Sequence, residues 1–217
     1  MLLRFKTLTN ALLALFFPDR CVGCNQYGSL FCAQCQAKLK PYPAHANNDL
    51  PTAIEGATVA FVYGGPLRDA IHEMKYRPIR RMAEPLGDLL ARHLATHPQP
   101  ADAIVAVPLH PKRMAERGFN QAELLADRLA TRLQLPLLRH GLERCRDTPH
   151  QVGLDHAGRQ ANVHAAFIWR SSVPPPAQVL IVDDVLTTGA TIAACAEALQ
   201  HAGTRAVRAV ALARSRG

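Results

Sequence analysis

Towards its C-terminal end the chain carries two adjacent aspartates and, shortly after them, a run of small and hydroxylated residues. Asp183 and Asp184 follow the apolar run 178–182, and segment 187–191 reads Thr-Thr-Gly-Ala-Thr. Backbone amides in such a segment can approach an anion closely, and a helix that begins there would add its N-terminal dipole. Carboxylates only accept hydrogen bonds, so the aspartates suit donors such as the 2′ and 3′ hydroxyls of a ribose. The pattern predicts a sugar-phosphate site made of Asp183, Asp184, Thr187, Thr188, Gly189, Ala190 and Thr191.

A capping role is the alternative for these aspartates, because Asp often caps the turn or helix that follows it. Two aspartates in tandem after a buried strand, followed by Thr-Thr-Gly-Ala-Thr, favour a ligand site. The sequence has neither the Gly-x-Gly-x-x-Gly pattern of dinucleotide-binding proteins nor the Gly-Lys-Ser/Thr pattern of P-loops. Neither of those two nucleotide sites is therefore expected.

Four of the six cysteines form the pattern Cys21-x2-Cys24-x7-Cys32-x2-Cys35. Two Cys-x2-Cys pairs offer the four sulfurs that tetrahedral thiolate coordination of Zn²⁺ requires. Because four cysteines complete the tetrahedron, we expect a closed, structural zinc site. An Fe–S cluster and a metal-free cluster are the alternatives.

The apolar run 11–17 near the N-terminus resembles part of a signal peptide but is far shorter than the roughly 20 residues of a membrane span. No small-residue cleavage site follows it. We therefore expect an amphipathic helix packed on the protein, no membrane span and a cytoplasmic location. A helix that lies on a membrane surface is the alternative. In the reducing cytoplasm, clustered thiols favour a metal over disulfides.

The rest of the chain alternates between apolar runs and segments with helical spacing, and its composition, 48% hydrophobic and 19% charged, is that of a folded protein. Strands are predicted at 57–63, 103–107, 166–169, 178–182 and 206–213, and helices at 64–77, 82–96, 121–133 and 191–201. Continuous apolar strands that alternate with helices indicate an α/β fold, with a parallel sheet covered by helices on both faces. Prolines and asparagines in 41–51 indicate a linker, which divides the chain into an N-terminal module, 1–50, and a larger domain, 51–217.

Segment 182–191 resembles the loop that binds phosphoribosyl pyrophosphate (PRPP) in type I phosphoribosyltransferases. Over about residues 15–213 the chain resembles one branch of that superfamily, the ComF-like proteins associated with bacterial competence. The residues that carry this second resemblance are Val107-Pro108-Leu109, Arg117-Gly118-Phe119-Asn120-Gln121, Arg144, Thr148, Gln151, Leu154, Arg159, Asn162 and the four clustered cysteines. The resemblance implies a type I phosphoribosyltransferase-like sheet, preceded by a small zinc-binding module, and PRPP with Mg²⁺ as the ligand.

The same resemblance implies roles for three other segments. The loop after the first core strand would hold the pyrophosphate of PRPP, whose charge basic side chains and Mg²⁺ would neutralise. The candidate residues of this loop are Leu109, His110, Lys112, Arg113 and Arg117. Segment 144–162 would be a mobile loop that closes over the reacting centre, with Arg144, Gln151 and Arg159 as candidates. A solvated basic loop and an unstructured surface loop are the respective alternatives. The residues around Lys75-Tyr76-Arg77 and Arg80-Arg81 would form a hood over the acceptor.

Two functions fit these expectations. One is an enzyme that transfers the phosphoribosyl group of PRPP to a nitrogen acceptor and releases pyrophosphate. The other is a non-catalytic protein that binds PRPP or a nucleotide and acts in DNA uptake through single-stranded DNA or a protein partner. The net charge of +8, with arginine in excess of lysine, suits an anionic ligand, but aromatic residues, only 6% of the chain, argue against an extended base-stacking platform. A zinc-stabilised scaffold with a vestigial pocket is a third option. The sequence identifies neither the acceptor, nor a general base, nor the oligomeric state.

Overall fold

The computed structural model describes residues 18–43, 53–76, 79–146 and 166–215. The predicted N-terminal helix and most of the predicted linker lie outside the described residues, and so do Arg77, Gln151 and Arg159. The predicted boundary near residue 50 falls in the same undescribed part, so the division into two domains stays a prediction.

A parallel sheet of four strands lies at the centre of the described residues. Its strands are β1 (Gly56–Val62), β2 (Ala103–Ala106), β5 (Gln178–Leu186) and β6 (Ala206–Arg214), in the order β1-β6-β5-β2. Each neighbouring pair is parallel. A small antiparallel pair, β3 (Leu142–Arg144) with β4 (Phe167–Trp169), lies apart from this sheet.

Six helices connect or flank these strands in the described ranges: α1 (Ala33–Ala37), α2 (Gly65–Tyr76), α3 (Ala83–Thr96), α4 (Pro111–Arg117), α5 (Gln121–Leu133) and α6 (Ala190–His201). A single 3-10 turn, Arg80–Met82, leads into α3. Helix α5 agrees with its predicted bounds, and the other predicted helices and strands agree to within a few residues at their ends. None of the helices in the described ranges has the length and hydropathy needed to cross a membrane.

Apolar side chains on β5 alternate between the two faces of the sheet, as the pleat of a strand requires. Leu180 and Val182 belong to a buried cluster that includes α2, α3 and α5. Val179 and Ile181 belong to a second buried cluster that includes α6 and the β3–β4 pair. Both faces of the sheet are therefore covered, which confirms the prediction of a parallel sheet with helices on both faces.

The cysteine segment packs on the face that carries α2 and α3. Phe31 and Cys35 are buried there and belong to the same cluster as the residues of those helices. The chain that follows α1 then runs beside β1, where the Tyr42 amide donates to the Ala60 carbonyl (3.1 Å) and the Val62 amide donates to the Lys40 carbonyl (2.8 Å). Packing and backbone hydrogen bonds thus join residues 18–43 to the sheet.

Candidate functional site

A cavity of about 340 Å³ lies at the edge of the sheet where the parallel strands reach their carboxyl ends. Tyr63 follows β1, Ser215 follows β6, and Thr187 follows β5, so three neighbouring strands deliver residues to it. Ligands of open parallel sheets bind at this edge, because loops and helix N-termini meet there. The cavity is lined by Tyr63, Lys75, Asp183, Val185, Leu186, Thr187, Gly189, Thr191, Ile192 and Ser215.

The small-residue segment after β5 brings a helix N-terminus to this cavity. Gly189 precedes α6 with φ +82°, a left-handed conformation that glycine adopts without steric cost. No side chain caps α6, and its first turn carries no acidic residue. Thr187, Gly189 and Thr191 line the cavity, while the Thr188 hydroxyl accepts from the Ala190 amide at 3.4 Å and helps to shape the turn. The end of α6 therefore presents positive potential to an anion.

The two aspartates do not follow the strand, as the sequence pattern predicted, but lie within it. Strand β5 runs on to Leu186 because β6 continues to pair with it beyond the end of β2. Successive strand residues point to opposite faces. Asp183 lines the cavity, whereas Asp184 is buried and absent from its lining. Contact of both carboxylates with one ribose therefore stays a prediction.

Lys75, in the last turn of α2, forms an ion pair with Asp184. Its Nζ lies 2.9 Å from Oδ1 and 2.7 Å from Oδ2, although only the Oδ1 contact has the angle of a hydrogen bond. Burial by itself would lower the pKa of Lys75, but the charge of Asp184 and the hydrogen bond to it raise that pKa above its ordinary value. Lys75 is therefore a cation at neutral pH, and it also lines the cavity.

Asp183 is a partly buried carboxyl whose pKa is raised from 3.8 to about 7. Burial is the main cause, and the neighbouring charge of Asp184 adds to it, while Lys75 and the Asp184 amide act in the opposite direction. That amide donates to Asp183 Oδ1 at 2.8 Å. The carboxyl that faces the cavity thus changes its charge close to neutral pH.

The segment expected to hold pyrophosphate is a helix rather than a loop. His110 caps α4 by accepting from the Lys112 amide at 3.3 Å, Pro111 opens the helix, and Gly118 ends it with φ +76°. The cavity at the carboxyl edge of the sheet is lined by none of Leu109, His110, Lys112, Arg113 and Arg117. Leu109 and His110 instead line a separate cavity of about 290 Å³. Contact with pyrophosphate stays a prediction for these five residues.

Arg117 is linked to the site through Lys75, whose pKa is lowered by the charge of Arg117. Its Nη1 donates to Gln121 Oε1 at 2.6 Å, and its guanidinium lies 5.8 Å from the centre of the Tyr76 ring. Asn120 accepts from the Ala122 amide and donates to the Val107 carbonyl, which joins the start of α5 to the end of β2. The amide nitrogen of Gln121 is buried without a hydrogen-bond partner in the described part of the chain.

Arg144 lies at the end of β3 and not in a loop, and it is buried. Its guanidinium is 5.6 Å from the centre of the Phe167 ring. Its charge lowers the pKa of Asp183, as that of Lys75 does. The expected loop residues Gln151 and Arg159 lie outside the described residues.

Two cations of the predicted hood contact the end of α4 and the cysteine segment, and a third does not. Arg80 donates to the Gly118 carbonyl at 2.6 Å. Arg81 donates through both terminal nitrogens to Asp19, at 2.8 and 3.1 Å. Lys75 points instead to Asp184. Whether this region covers an acceptor stays a prediction.

The four clustered cysteines bring their sulfurs within 4.8 Å of one another, and the Cys24 and Cys32 sulfurs are 3.5 Å apart. Four Zn–S bonds of about 2.3 Å would give sulfur–sulfur separations of about 3.8 Å. Backbone amides already donate to two sulfurs, Cys32 N to Cys21 Sγ (3.3 Å) and Cys35 N to Cys32 Sγ (3.4 Å). Burial and the neighbouring thiols raise the pKa of Cys35 to about 12, so four thiolates need a cation among them. The cluster could hold a metal ion, and its chemistry fits zinc.

Sequence reasoning did not include Tyr63 and Ser215 in the site, and it did not predict the ion pair of Lys75 with Asp184. Tyr63 and Ser215 each come directly after a strand of the central sheet. Because the carboxyl ends of parallel strands share one edge, the residues within two positions of the end of each predicted strand were a usable signal. The pairing of Lys75 with a residue 109 positions away had no such signal.

The described residues define an α/β protein with a ligand-sized cavity at the carboxyl edge of its sheet, joined to a four-cysteine segment that could hold a metal. No protein-family model matches the chain. It is 31% identical over 208 residues to competence protein F of Haemophilus influenzae, which covers 90% of each chain. It is 35% identical to the DNA utilization protein YhgH of Escherichia coli (70% of this chain, 69% of the relative) and 28% identical to competence protein ComFC of Streptococcus pneumoniae (71% and 66%). The chain belongs to the competence protein F family.

Two solved structures are similar to the chain at low sequence identity. One is a hypoxanthine phosphoribosyltransferase of Staphylococcus aureus, with a TM-score of 0.39 and 17% identity over 62% of this chain and 64% of that one. The other is the adenine phosphoribosyltransferase of Leishmania tarentolae, with a TM-score of 0.38 and 14% identity over 66% and 75%.

The cysteine cluster predicts metal-dependent stability. We expect the purified protein to contain about one zinc ion per chain, and the double substitution Cys21→Ser with Cys24→Ser to lower both the zinc content and the melting temperature, because a structural zinc site contributes folding free energy. Elemental analysis and thermal unfolding measure the two quantities. Cys145→Ser, which removes an exposed thiol outside the cluster, is the control and should keep the zinc. Metal-free wild-type protein that melts at the same temperature with and without a chelator would reject the site, and iron in place of zinc would favour the Fe–S alternative.

The raised pKa of Asp183 predicts how stability depends on pH. Between its ordinary value of 3.8 and about 7, the folded protein keeps a proton that the unfolded chain has released, so this carboxyl lowers stability as pH rises through that window. Asp183→Asn removes the titration and keeps an oxygen that can accept from the Asp184 amide. We expect the variant to be more stable than the wild type at pH 8, on the order of 2 kcal/mol, and the gain to shrink towards pH 5. Urea unfolding at several pH values tests this, and a difference that does not change with pH would contradict it.

Proposed function

We propose that this chain binds PRPP in the cavity at the carboxyl edge of β5 and transfers its phosphoribosyl group to a nitrogen acceptor, with release of pyrophosphate. One observation carries the proposal: Asp183, Gly189 and Thr191 line the same cavity. An acceptor of hydrogen bonds and the N-terminus of a helix thus serve one ligand. A ribose 5-phosphate unit has the matching groups, hydroxyl donors and a phosphate monoester.

The phosphate half of the ligand would bind at segment 187–191. The first turn of α6 has no acidic residue that would compete with an anion, and no side chain caps it. Hydroxyls of Thr187 and Thr191 can donate further hydrogen bonds, since both residues line the cavity. The turn at Gly189 leaves room for the close approach of a phosphate to the backbone.

The ribose would lie against Asp183, whose carboxylate accepts from the hydroxyls. A carboxylate beside a phosphate is unfavourable unless its charge is compensated. Lys75 and Arg144 supply that compensation, since each lowers the pKa of Asp183. The charges around the cavity are therefore compatible with a ligand that has both hydroxyls and phosphates.

The pyrophosphate of PRPP would lie towards α4, where Arg117 is close enough to Lys75 to lower its pKa. Lys112 and Arg113 lie on the same helix. Mg²⁺ prefers oxygen ligands, which the ligand phosphates and a carboxylate such as that of Asp183 offer, and when bound it neutralises charge on the leaving pyrophosphate. In the transfer, the bond from C1′ to the pyrophosphate oxygen breaks, pyrophosphate keeps the electron pair, and the acceptor nitrogen bonds to C1′ and loses its proton.

Calorimetry with PRPP and Mg²⁺ tests the binding half of the proposal. We expect Asp183→Asn to weaken PRPP binding roughly 10- to 100-fold, because a hydrogen bond to a charged group contributes about 1.5–3 kcal/mol. Asp102→Asn is the matched control: Asp102 lies at the opposite edge of the sheet, where its Oδ2 accepts from the Gln178 amide at 2.9 Å. Equal affinity of the two variants for PRPP would contradict the site, and no heat of binding with the wild type would reject PRPP as the ligand.

An assay of pyrophosphate release separates the enzyme from a binding protein. PRPP-dependent release with one member of a panel of nitrogenous bases would support transfer. Tight PRPP binding without release from any of them would leave a protein that binds PRPP without turnover.

A second candidate function, binding of single-stranded DNA, is favoured by a surface that we call the arginine–tyrosine surface: Arg20, Tyr27, Tyr76, Arg80, Arg81 and Arg117. The Arg20 guanidinium lies 4.2 Å from the centre of the Tyr27 ring and Arg117 lies 5.8 Å from that of Tyr76, yet the two tyrosines are 60% and 61% exposed. Exposed rings beside cations suit the stacking of bases and the attraction of phosphates.

Contacts join the members of the arginine–tyrosine surface into one patch. Arg81 pairs with Asp19, the neighbour of Arg20, and Arg80 donates to the carbonyl of Gly118, the neighbour of Arg117. The patch therefore extends from the cysteine segment to the side of the cavity that Arg117 approaches. Two relatives, a DNA utilization protein and a competence protein, have names that are consistent with a DNA ligand.

Fluorescence anisotropy with a labelled thymidine oligonucleotide tests this surface. We expect binding that weakens as salt rises, and a loss of at least about tenfold when Tyr27→Leu and Tyr76→Leu are combined, because stacking contributes about 1–3 kcal/mol per base. Val173→Ala removes an exposed apolar side chain of the segment between β4 and β5 and is the control. Unchanged affinity in the tyrosine variant would exclude this surface.

A further inference from the structure

Lys75 is placed so that it serves both aspartates of β5 at once. It lies in the last turn of α2, contacts both carboxylate oxygens of Asp184 at 2.9 and 2.7 Å, and lines the cavity that Asp183 faces. The side chain of Asp184 is only 9% exposed and that of Lys75 only 24%. This ion pair is therefore largely shielded from water and is screened little by salt.

Further charged or titratable groups around the ion pair come from β5, α4, β3 and α6. Lys75 interacts with Asp184 and Asp183 on β5 and with Arg117 on α4. Asp183 interacts with Asp184, with Lys75 on α2 and with Arg144 on β3. On α6, the buried thiol of Cys195 lies near Asp183, whose charge is one reason why the pKa of that thiol is raised. Lys75 contacts the acidic pair directly, through Asp184.

We propose that Lys75 is the built-in counterion of the acidic pair: it neutralises the carboxylate of Asp184 and thereby lets Asp183 meet a ligand as an ionised carboxylate. In this role Lys75 is a positioning residue. The inference depends on the proposed function only in naming that ligand a ribose, because the ion pair exists without a ligand.

The physical reason is the cost of two adjacent negative charges in a buried strand. A carboxylate that has lost its counterion in such a place is strongly unfavourable, and the pair would take up a proton instead. A second unpaired carboxylate would also repel the phosphates of a sugar phosphate. With Lys75 present, Asp184 is neutralised and Asp183 can ionise near neutral pH.

A double-mutant cycle without any ligand tests the counterion role. Lys75→Met and Asp184→Asn each leave one charge of the pair buried, and we expect each to lower the melting temperature at pH 8 by roughly 10 °C. The combined variant removes both charges and should regain most of that loss. Losses that simply add in the combined variant would overturn the proposal. If Lys75→Met does not fold, the comparison of Asp184→Asn with the combined variant still decides the question.

The pH profile separates a counterion from a residue that only packs. Relative to the wild type, Lys75→Met should lose the most stability at pH 8 and less at pH 5. At the lower pH the folded variant takes up a proton on the acidic pair, whereas the unfolded chain does not. Carbon NMR of labelled aspartate carboxyls should show Asp183 titrating about one pH unit higher in Lys75→Met. In the combined variant Asp183 should titrate below its wild-type midpoint, since the charge of Asp184 raises its pKa more than Lys75 lowers it. An unchanged midpoint in Lys75→Met would overturn the proposal.

A third measurement separates this inference from the proposed function. If the wild type binds PRPP, the pH at which affinity is half-maximal should move upward in Lys75→Met together with the Asp183 titration. If affinity keeps its wild-type pH dependence while the titration moves, Asp183 does not meet the ligand as an ionised carboxylate, and the proposal fails. If the wild type binds no PRPP, the proposed function fails, while the melting and NMR results still decide the role of Lys75.

Discussion

Burial of both faces of the parallel sheet decides where polar chemistry can occur in this protein. Leu180 and Val182 face one buried cluster, and Val179 and Ile181 face the other. Charged residues in the middle of β5 would lack partners, so they can appear only where the covering helices end. Strand β5 meets this condition by continuing beyond β2, with β6 as its remaining neighbour, and the two aspartates lie in that extension. The same edge receives the N-terminus of α6 and the last turn of α2.

The cysteine segment is connected to the same site through α2. A Cβ at Gly23 would lie 2.9 Å from both Cys35 Sγ and Pro66 Cβ, so the backbone between Cys21 and Cys24 packs tightly against the first turn of α2. Lys75 is in the last turn of that helix. A helix of 12 residues is about 18 Å long and rigid over that distance. A metal that fixes the four sulfurs would therefore also fix the end of α2 that reaches Asp184.

Much of the fold could be predicted from local patterns, because burial on both faces leaves continuous apolar runs and helix packing leaves leucines at helical spacing. Helix α5 and the cysteine cluster are examples. The helical form of α4 was missed, since its sequence has few apolar residues and its limits are set by the His110 cap and Gly118. The position of both aspartates within β5 was missed because it depends on how far β6 continues to pair with β5. Such pairing between distant segments leaves no local pattern, and neither does the ion pair of Lys75 with Asp184.

Charge balance at the carboxyl edge explains how an acidic pair can coexist with a site for an anion. Lys75 neutralises Asp184, and the ionisation of Asp183 near neutral pH leaves at most one uncompensated carboxylate. Arg144 acts on that carboxylate from the β3 side, and Arg117 approaches Lys75 from α4. The helix dipole of α6 adds positive potential without any side chain. Lys75, the two arginines and the end of α6 therefore oppose the charge of the two aspartates, and this balance is what the proposed site for a ligand with both hydroxyls and phosphates requires.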